Sequence, residues 1–299
     1  MNGDMSVAQA GTSFAATAAS NQYSLDGWLS FNGAATGVTY SQVAYTGNFK
    51  YALRLQRNPG VTTATYWLVT QSFETLDIVK IAGKTMTLSF RARAGADFSA
   101  SGNALGIQAF YGTGVDGNLA TGFTGQALYY EGTVTLTTSD AGYSVTFTVP
   151  SNATQLGIVF QLSSTGTAGA ADYFDVTGVQ LEVGSVATPF EYITYQQNLQ
   201  RCQRYLPVVS GYALGQAYSS VNALVAVTFP VPPRTPPTGC TVSGSPLAYT
   251  ASGSSNPATI TFANTGTTGA VLNSSTTGLV AGNATLHSIG TVMFTGCRL

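Results

Sequence analysis

Apolar and polar residues alternate at every second position in several segments of this chain, and this period constrains its fold most strongly. The clearest run has Met86, Leu88, Phe90 and Ala92 at every second position, with polar residues between them. Successive side chains of a β-strand point to opposite faces of a sheet, so this pattern predicts a strand with one face in a core. Strand patterns also occur in residues 37–46, 51–57, 63–73, 104–111, 132–138, 143–149, 156–162 and 172–183.

The composition favours strands and tight turns. Of 299 residues, 44% are hydrophobic, so the chain can bury a sizeable core and is not expected to be disordered. Its 34 glycines fit the turns between short strands. Two packed sheets bury the inner faces of about nine strands economically, so we predict an all-β fold that begins with a jelly-roll β-sandwich.

The acidic residues end abruptly along the chain, which suggests two domains. All twelve Asp and Glu residues lie at or before Glu191. The charged residues that follow are Arg201, Arg204, Arg234 and Arg298. A region without carboxylates supplies neither a carboxylate pair nor a Ser-His-Asp triad, so catalysis is not expected there. The net charge of -1 and the scattered basic residues predict no nucleic-acid partner.

The sequence pattern changes after Glu191. Residues 195–205 contain no alternation and no Gly, which predicts a short helix. Short strand patterns follow in residues 223–231, 240–243, 258–263, 270–272 and 285–294. We predict a jelly-roll domain over residues 1–192, a helical linker over 193–206 and a small β domain over 207–299. Because the last domain has few large apolar residues, we expect it to associate with further copies of itself.

Cysteine usage and the N-terminal residues bear on the cellular compartment. Cys202, Cys240 and Cys297 are too few for a disulfide framework and fit no CxxC metal site, so free thiols are expected. Residues 1–20 lack a basic start followed by an apolar stretch, so no signal peptide is expected. The absence of a run of about 18 apolar residues predicts no membrane insertion. We therefore expect synthesis in the cytoplasm.

Two stretches near the centre of the chain carry a resemblance to a known family. Residues 172–191 read DYFDVTGVQLEVGSVATPFE, and residues 199–205 read LQRCQRY. Both resemble segments of tail-fibre-like and other virion surface proteins of bacteriophages. Further segments resemble the same family in the same order, at residues 2–4, 51–57, 82–95 and 229–238. The resemblance therefore covers most of the chain.

The resemblance implies a carbohydrate-binding-module-like jelly roll and then a small β domain, in a homotrimer on the surface of a phage particle. The main expectation is a virion structural protein, assembled in the host cytoplasm, that contacts other virion proteins. It would act as a tail fibre or receptor-binding protein that recognises host cell-surface glycans. A capsid decoration or head-fibre protein is the alternative, and a free carbohydrate-binding lectin module is a second alternative.

The same resemblance bears on metal binding. In jelly rolls of this kind the final strand often lends an Asp to a structural calcium ion. Carboxylate and carbonyl oxygens suit that ion, so Asp175 is a candidate calcium ligand. The alternative for Asp175 is an acid that caps a turn or meets an Arg. No cofactor is otherwise expected.

The outward sides of the predicted strands supply the candidate glycan-binding residues. Amides and guanidinium groups bond sugar hydroxyls in pairs, and an aromatic ring stacks on the apolar side of a pyranose. If their strands share one sheet, the following residues form one polar patch: Arg54, Gln56, Tyr66, Arg91, Arg93, Gln108 and Gln161. We expect Arg91 and Arg93 to be the main contacts. A solvated face or a subunit interface is the alternative for each residue.

The sequence gives little support for catalysis. His287 is the single histidine and has no acid nearby in sequence, so we expect a packed or surface imidazole. A glycosidase needs two carboxylates held in a cleft. Pairs such as Asp172 with Asp175 exist, but no motif ties them to hydrolysis. We therefore predict a protein without enzymatic activity.

Overall fold

A computed structural model describes residues 1–16, 21–31, 36–249 and 255–299 of the chain. Contacts within this part divide it into two compact units. The N-terminal unit comprises Met1–Asn198 together with Leu299, and the C-terminal unit comprises Leu199–Arg298. Both are built almost wholly from antiparallel strands, which confirms the predicted all-β class.

Strands dominate the N-terminal unit. In chain order they are β1 (Ser13–Ala15), β2 (Gln22–Tyr23), β3 (Leu29–Phe31), β4 (Val38–Ala44), β5 (Tyr51–Arg57), β6 (Tyr66–Phe73), β7 (Thr85–Ala94), β8 (Ala100–Gly112), β9 (Ala127–Thr135), β10 (Ala141–Thr148), β11 (Gln155–Ser164) and β12 (Tyr173–Val183). A four-residue helix, α1 (Thr75–Ile78), connects β6 to β7.

These strands form two six-stranded antiparallel sheets. The first sheet has the order β1-β4-β5-β12-β7-β10, and the second sheet has the order β2-β3-β6-β11-β8-β9. From β5 onward the chain crosses repeatedly from one sheet to the other, so neighbouring strands come from distant parts of the sequence. This is the predicted jelly-roll sandwich, in which each sheet buries one face against the other.

The inner faces of the two sheets form one core, whose residues the sequence alternation marks. Leu88 and Phe90 on β7 enter it from the first sheet, and Ile158 and Phe160 on β11 enter it from the second. The rings of Phe90 and Phe160 meet edge to face, with their centroids 4.9 Å apart. Burying each side chain of this size stabilises the fold by about 1.5–3 kcal/mol.

Helix α2 (Tyr195–Gln203) begins in the N-terminal unit and ends in the C-terminal unit. It confirms the helix predicted for residues 195–205 and ends two residues earlier. Neither helix of the described residues has the length and hydropathy that a membrane-spanning helix requires. The strands that follow are β13 (Val208–Ala217), β14 (Asn222–Thr228), β15 (Gly239–Ser243), β16 (Leu247–Tyr249), β17 (Ser255–Pro257), β18 (Thr259–Thr265), β19 (Gly269–Ser275) and β20 (Ala284–Thr295).

One antiparallel sheet makes up the C-terminal unit. Its order is β17-β16-β20-β13-β14-β19-β18, and β15 also pairs with β20. Val225, Leu272 and Val292 are buried in its core, where the rings of Phe229 and Phe294 meet edge to face at 4.9 Å. Among the described residues this core is smaller than that of the N-terminal unit, as the scarcity of large apolar residues predicts.

Candidate functional site

The seven predicted binding residues lie on two different sheets. The first sheet carries Arg54 and Gln56 on β5 and Arg91 and Arg93 on β7. The second sheet carries Tyr66 on β6, Gln108 on β8 and Gln161 on β11. The outer faces of a sandwich point in opposite directions, so the seven residues do not form the single polar patch expected if their strands share one sheet.

On the first sheet, a buried carboxylate holds two of the predicted arginines. Asp175 on β12 has no exposed surface and lies between β5 and β7, opposite Arg54 and Arg93. The Nε atoms of Arg54 and Arg93 donate hydrogen bonds to its two carboxylate oxygens at 2.7 and 2.8 Å. The Arg54 guanidinium also stacks 3.5 Å from the Tyr173 ring centroid, and that of Arg93 lies 4.6 Å from the Tyr45 centroid.

This arrangement does not fit the calcium ion expected at Asp175. Both carboxylate oxygens accept hydrogen bonds from guanidinium groups, so two positive charges already stand where a cation would bind. Burial disfavours the charged form of Arg54, yet hydrogen bonding and attraction to Asp175 leave the pKa of Arg54 raised. The described residues contain no group of three or more His, Cys, Asp or Glu placed to hold a metal.

The remaining candidates of the first sheet also have protein partners. The Nε atom of Arg91 lies 2.9 Å from both carboxylate oxygens of Asp140, and this hydrogen bonding raises the pKa of Arg91. The Tyr45 hydroxyl donates to the same carboxylate at 2.7 Å. The Gln56 side-chain amide donates to the Ala170 carbonyl at 3.0 Å. Arg91 also lines a groove of about 410 Å³ on the first sheet, together with Tyr143 and Tyr192 among others.

On the second sheet, by contrast, the three predicted residues line one open groove. This polar groove has a volume of about 550 Å³ and is lined by Tyr66, Gln108, Glu131, Thr133, Gln161 and Ser163, among others. Tyr66 stands at one end and is 60% exposed, because Trp67 beside it takes the position that faces the core. Ala104 and Gly106 on β8 also line the groove, and because both are small they leave its centre open.

Hydrogen bonds within the groove fix its polar side chains. The Gln108 amide Nε2 donates to Oε1 of Glu131 at 2.9 Å, and the Gln161 amide Nε2 donates to the Ser163 hydroxyl at 2.8 Å. Among the described residues, these bonds leave the Oε1 atoms of Gln108 and Gln161 and the Oε2 atom of Glu131 without a hydrogen-bond partner. Each amide also keeps a second N–H. The groove therefore offers paired donors and acceptors to a ligand.

A second, apolar groove lies farther along the same sheet. It has a volume of about 370 Å³ and includes Leu68, Phe110, Leu119 and Val159 in its lining, together with Gln108. Leu119 belongs to the loop of residues 113–126 between β8 and β9, which folds over this part of the sheet. Its backbone N–H donates to the Ser72 hydroxyl at 3.0 Å.

A glycine makes the close approach of this loop possible. A Cβ atom added to Gly157 on β11 would lie 2.7 Å from Cδ2 of Leu119, which is too close for any other residue without a shift. Phe123 of the same loop and Val159 of β11 are buried in the resulting apolar cluster. The loop thus forms a wall of the apolar groove.

Several groove residues are absent from the sequence prediction, and Glu131, Leu68 and Phe110 are among them. Glu131 lies on β9 opposite Gln108, and Leu68 and Phe110 occupy outward positions of β6 and β8. The signal for Leu68 and Phe110 was present in the alternation, because both are large apolar residues on a side read as polar. Glu131 carried no such signal, because its pairing depends on the loop that joins β8 to β9.

Asp172 and His287 lie outside both grooves and contact other residues of the fold. Asp172 and Arg57 are both completely buried and form an ion pair at 2.8 Å. His287 is buried, with its Nδ1 atom 3.1 Å from the Ser274 hydroxyl and its Nε2 atom 2.8 Å from the Thr285 hydroxyl. Burial lowers the pKa of His287. Of the packed and surface imidazoles that the sequence leaves open, His287 is the packed one.

Comparisons with known proteins give structural similarities only. The sequence matches no family model and no curated protein. Among solved structures, a xylan-binding domain from CBM 22 is 16% identical, with a TM-score of 0.36, over 60% of this chain and 99% of its own. A family 11 carbohydrate-binding module from Clostridium thermocellum, in complex with a β-1,3-1,4-mixed-linked tetrasaccharide, is 14% identical, with a TM-score of 0.36. The match covers 59% of this chain and 98% of the module.

An enzymatically active domain of tailspike protein 4 from bacteriophage CBA120 is also similar. It is 17% identical with a TM-score of 0.35, over 53% of this chain and 19% of its own. The sandwich fold is established by the strand pairing. The resemblance to phage virion proteins likewise depends on the sequence segments alone.

Proposed function

We propose that the N-terminal unit binds a glycan in the polar groove of the second sheet. The observation that carries this proposal is the gathering of one exposed aromatic ring and three planar polar side chains in one groove. These residues lie on four neighbouring strands, β6, β11, β8 and β9. They are Tyr66, Gln161, Gln108 and Glu131.

The groups in the groove match the two kinds of surface that a sugar presents. Hydroxyl groups at the edges of a pyranose pair with the amide and carboxylate atoms of Gln108, Glu131 and Gln161. The apolar face of the ring stacks on the exposed ring of Tyr66. Three strand spacings of about 4.8 Å separate β6 from β9, so the groove suits an oligosaccharide better than a single sugar.

The polar side chains are also held in place before a ligand binds. The hydrogen bonds from Gln108 to Glu131 and from Gln161 to Ser163 restrict their rotamers. Side chains that stand on strands and are already ordered lose less conformational freedom on binding. This order favours the groove over the exposed loops as the binding site.

We also propose that this unit is displayed on the surface of a bacteriophage particle, within a homotrimeric tail-fibre or receptor-binding protein that contacts other virion proteins. The resemblance of residues 172–191 and 199–205 to segments of phage virion proteins supports this setting. Capsid decoration and a free lectin module are the alternative settings for the same groove.

One face of the C-terminal sheet supports association between copies. Tyr212 and Leu214 on β13 are 68% and 72% exposed, and Leu214 lies opposite Leu286 on β20. Leu224 on β14 is also exposed, and β13, β14 and β20 contain no Lys, Arg, Asp or Glu. An exposed apolar surface of this kind marks a contact site, and an uncharged face meets a second copy without charge repulsion.

We propose that the bound glycan is not cleaved. Glycosidases generally use two carboxylates that flank the scissile bond. Glu131 is the one carboxylate among the described residues that line the polar groove. Glu131 therefore acts in this proposal as a hydrogen-bond acceptor for the ligand.

A glycan array tests the proposal, with the protein and two matched tyrosine variants. Tyr66→Ala removes the stacking ring, whereas Tyr192→Ala removes a tyrosine of similar exposure, 58%, from the groove on the first sheet. We expect wild type and Tyr192→Ala to bind the same glycans, Tyr66→Ala to lose them, and the glycans to be recovered intact. Loss of binding in Tyr192→Ala alone, or no glycan bound by wild type, would refute the proposal.

A further inference from the structure

The polar groove and the apolar groove meet at one side chain. Gln108 lines both, and the outward residues change character around it. Tyr66 and Gln161 lie toward one end of the strands, Val159 lies directly opposite Gln108 on β11, and Phe110 lies toward the other end. A ligand that fills the polar groove therefore meets an apolar surface next to the Gln108 amide.

The charge of the combined surface is low and of one sign. Among the described residues that line the two grooves, Glu131 is charged and no Lys, Arg or His is present. Acidic sugars would bring a carboxylate toward Glu131 with no cation in the lining to compensate. The surface therefore favours a neutral ligand.

We propose that the ligand is a neutral glycan that carries N-acetyl groups, and this inference rests on the proposed function. An acetamido group contains a planar amide and a methyl group. The Gln108 amide keeps one carbonyl oxygen and one N–H for that planar amide, because its other N–H is bonded to Glu131. The methyl group then enters the apolar groove against Leu68, Phe110 and Val159.

The expected preference follows from two contacts. Burial of the methyl group and one hydrogen bond between amides together favour the N-acetylated sugar about tenfold over the sugar with a hydroxyl at the same carbon. A charged amine at that carbon loses both contacts. An acidic glycan gains nothing in the groove and is repelled by Glu131.

Calorimetric titration of the full chain tests this inference with glycans that differ only at carbon 2. Chito-pentaose and cello-pentaose form one pair, and oligomers of N-acetylgalactosamine and galactose form another. Leu68→Asn makes the apolar groove polar at similar side-chain volume. Leu76→Asn is the matched control, because Leu76 is 67% exposed on α1 and lines neither groove.

We expect the N-acetylated member of at least one pair to bind about tenfold more tightly, and Leu68→Asn but not Leu76→Asn to abolish that difference. Equal or weaker binding of the N-acetylated members, with glycan binding still lost in Tyr66→Ala, would overturn this inference and leave the proposed function standing. If neither these oligomers nor any array glycan binds, both fail. An oligogalacturonate represents the acidic glycans in the same titration. If it binds more tightly than the neutral oligomers, the inference is also overturned.

Discussion

Two buried ionisable residues, Asp175 and His287, show how single side chains are accommodated in the two units. The Asp175 carboxylate is completely buried and is balanced by two guanidinium groups whose side chains are about one-fifth exposed. A buried charge is tolerated only when partners of opposite charge replace its water. The sequence placed Asp175 on a strand, but its two partners lie more than 80 residues away along the chain.

Replacing Asp175 by Asn tests this account of the first sheet. We expect Asp175→Asn to lower the free energy of unfolding of the N-terminal unit by about 2–4 kcal/mol, because both arginines lose their partner. Chemical denaturation measures the change. Asp77→Asn is the control, because Asp77 forms an exposed ion pair with Lys80. An unfolding free energy equal to that of the control would show that the Asp175 network contributes little.

His287 gives the C-terminal unit a predicted pH dependence. Burial lowers the pKa of His287 in the folded state, so below about pH 6.5 the unfolded chain binds more protons than the folded chain. Stability from this source is therefore present above that pH and is lost as the pH falls toward the lowered pKa. Residues 199–298 contain no Asp or Glu, so no carboxylate of this unit adds to the change.

Thermal unfolding at several pH values between about 7.5 and 5.5 checks this prediction. We expect the Tm of the C-terminal unit to fall with pH in the wild type and to change much less in His287→Gln. Parallel curves for the two proteins would mean that His287 is not the group that titrates.

At the scale of strands and loops, the loop of residues 113–126 determines whether the apolar groove exists. It packs on the outer face of the second sheet because β11 has Gly157 at the contact with Leu119. A Cβ atom at this position would lie 2.7 Å from Cδ2 and 3.1 Å from Cβ of Leu119, so the Leu119 side chain in the groove wall has to shift. The groove between them is therefore sensitive to a single added methyl group.

Gly157→Ala tests that contact. We expect it to destabilise the N-terminal unit by about 1–3 kcal/mol, as overpacking of a tight contact does. Gly266→Ala is the control, because an added Cβ there meets nothing within 4 Å and neither glycine has a positive φ. Denaturation measures both variants, and equal stability would show that the loop moves freely.

The sequence predicted single elements better than their arrangement. Alternation identified β7 and β11 with their buried faces, because the two sides of a strand differ locally in polarity. It did not identify which strands share a sheet, since β5 and β6 are consecutive but belong to different sheets. The residues of the expected patch therefore lie on two sheets, and Tyr66, Gln108 and Gln161 are the three that line the polar groove.

At the scale of the whole molecule, the two units divide the proposed tasks. The N-terminal unit holds the grooves, and the C-terminal unit presents an uncharged face with exposed Tyr212, Leu214 and Leu286. Several binding sites in one assembly would raise the avidity for a surface that repeats the same glycan. Self-association through the C-terminal unit would therefore strengthen binding by the N-terminal unit.

Leu214→Arg tests the proposed association. A charge buried in the contact between copies costs several kcal/mol, so we expect the variant to be a folded monomer where the wild type is a trimer. Light scattering at micromolar concentration gives the mass, and circular dichroism checks the fold. A wild type that is monomeric with both units folded would contradict the proposal.

The location of a bound sugar tests the central claim most directly. Crystals of the full chain are soaked with the neutral oligosaccharide that binds most tightly on the array, and the position of the sugar is determined. The account predicts a sugar ring stacked on Tyr66, with hydroxyl groups within hydrogen-bonding distance of Gln161 and Gln108. A sugar bound on the first sheet beside Arg91 and Tyr192, or in the C-terminal unit, would contradict it.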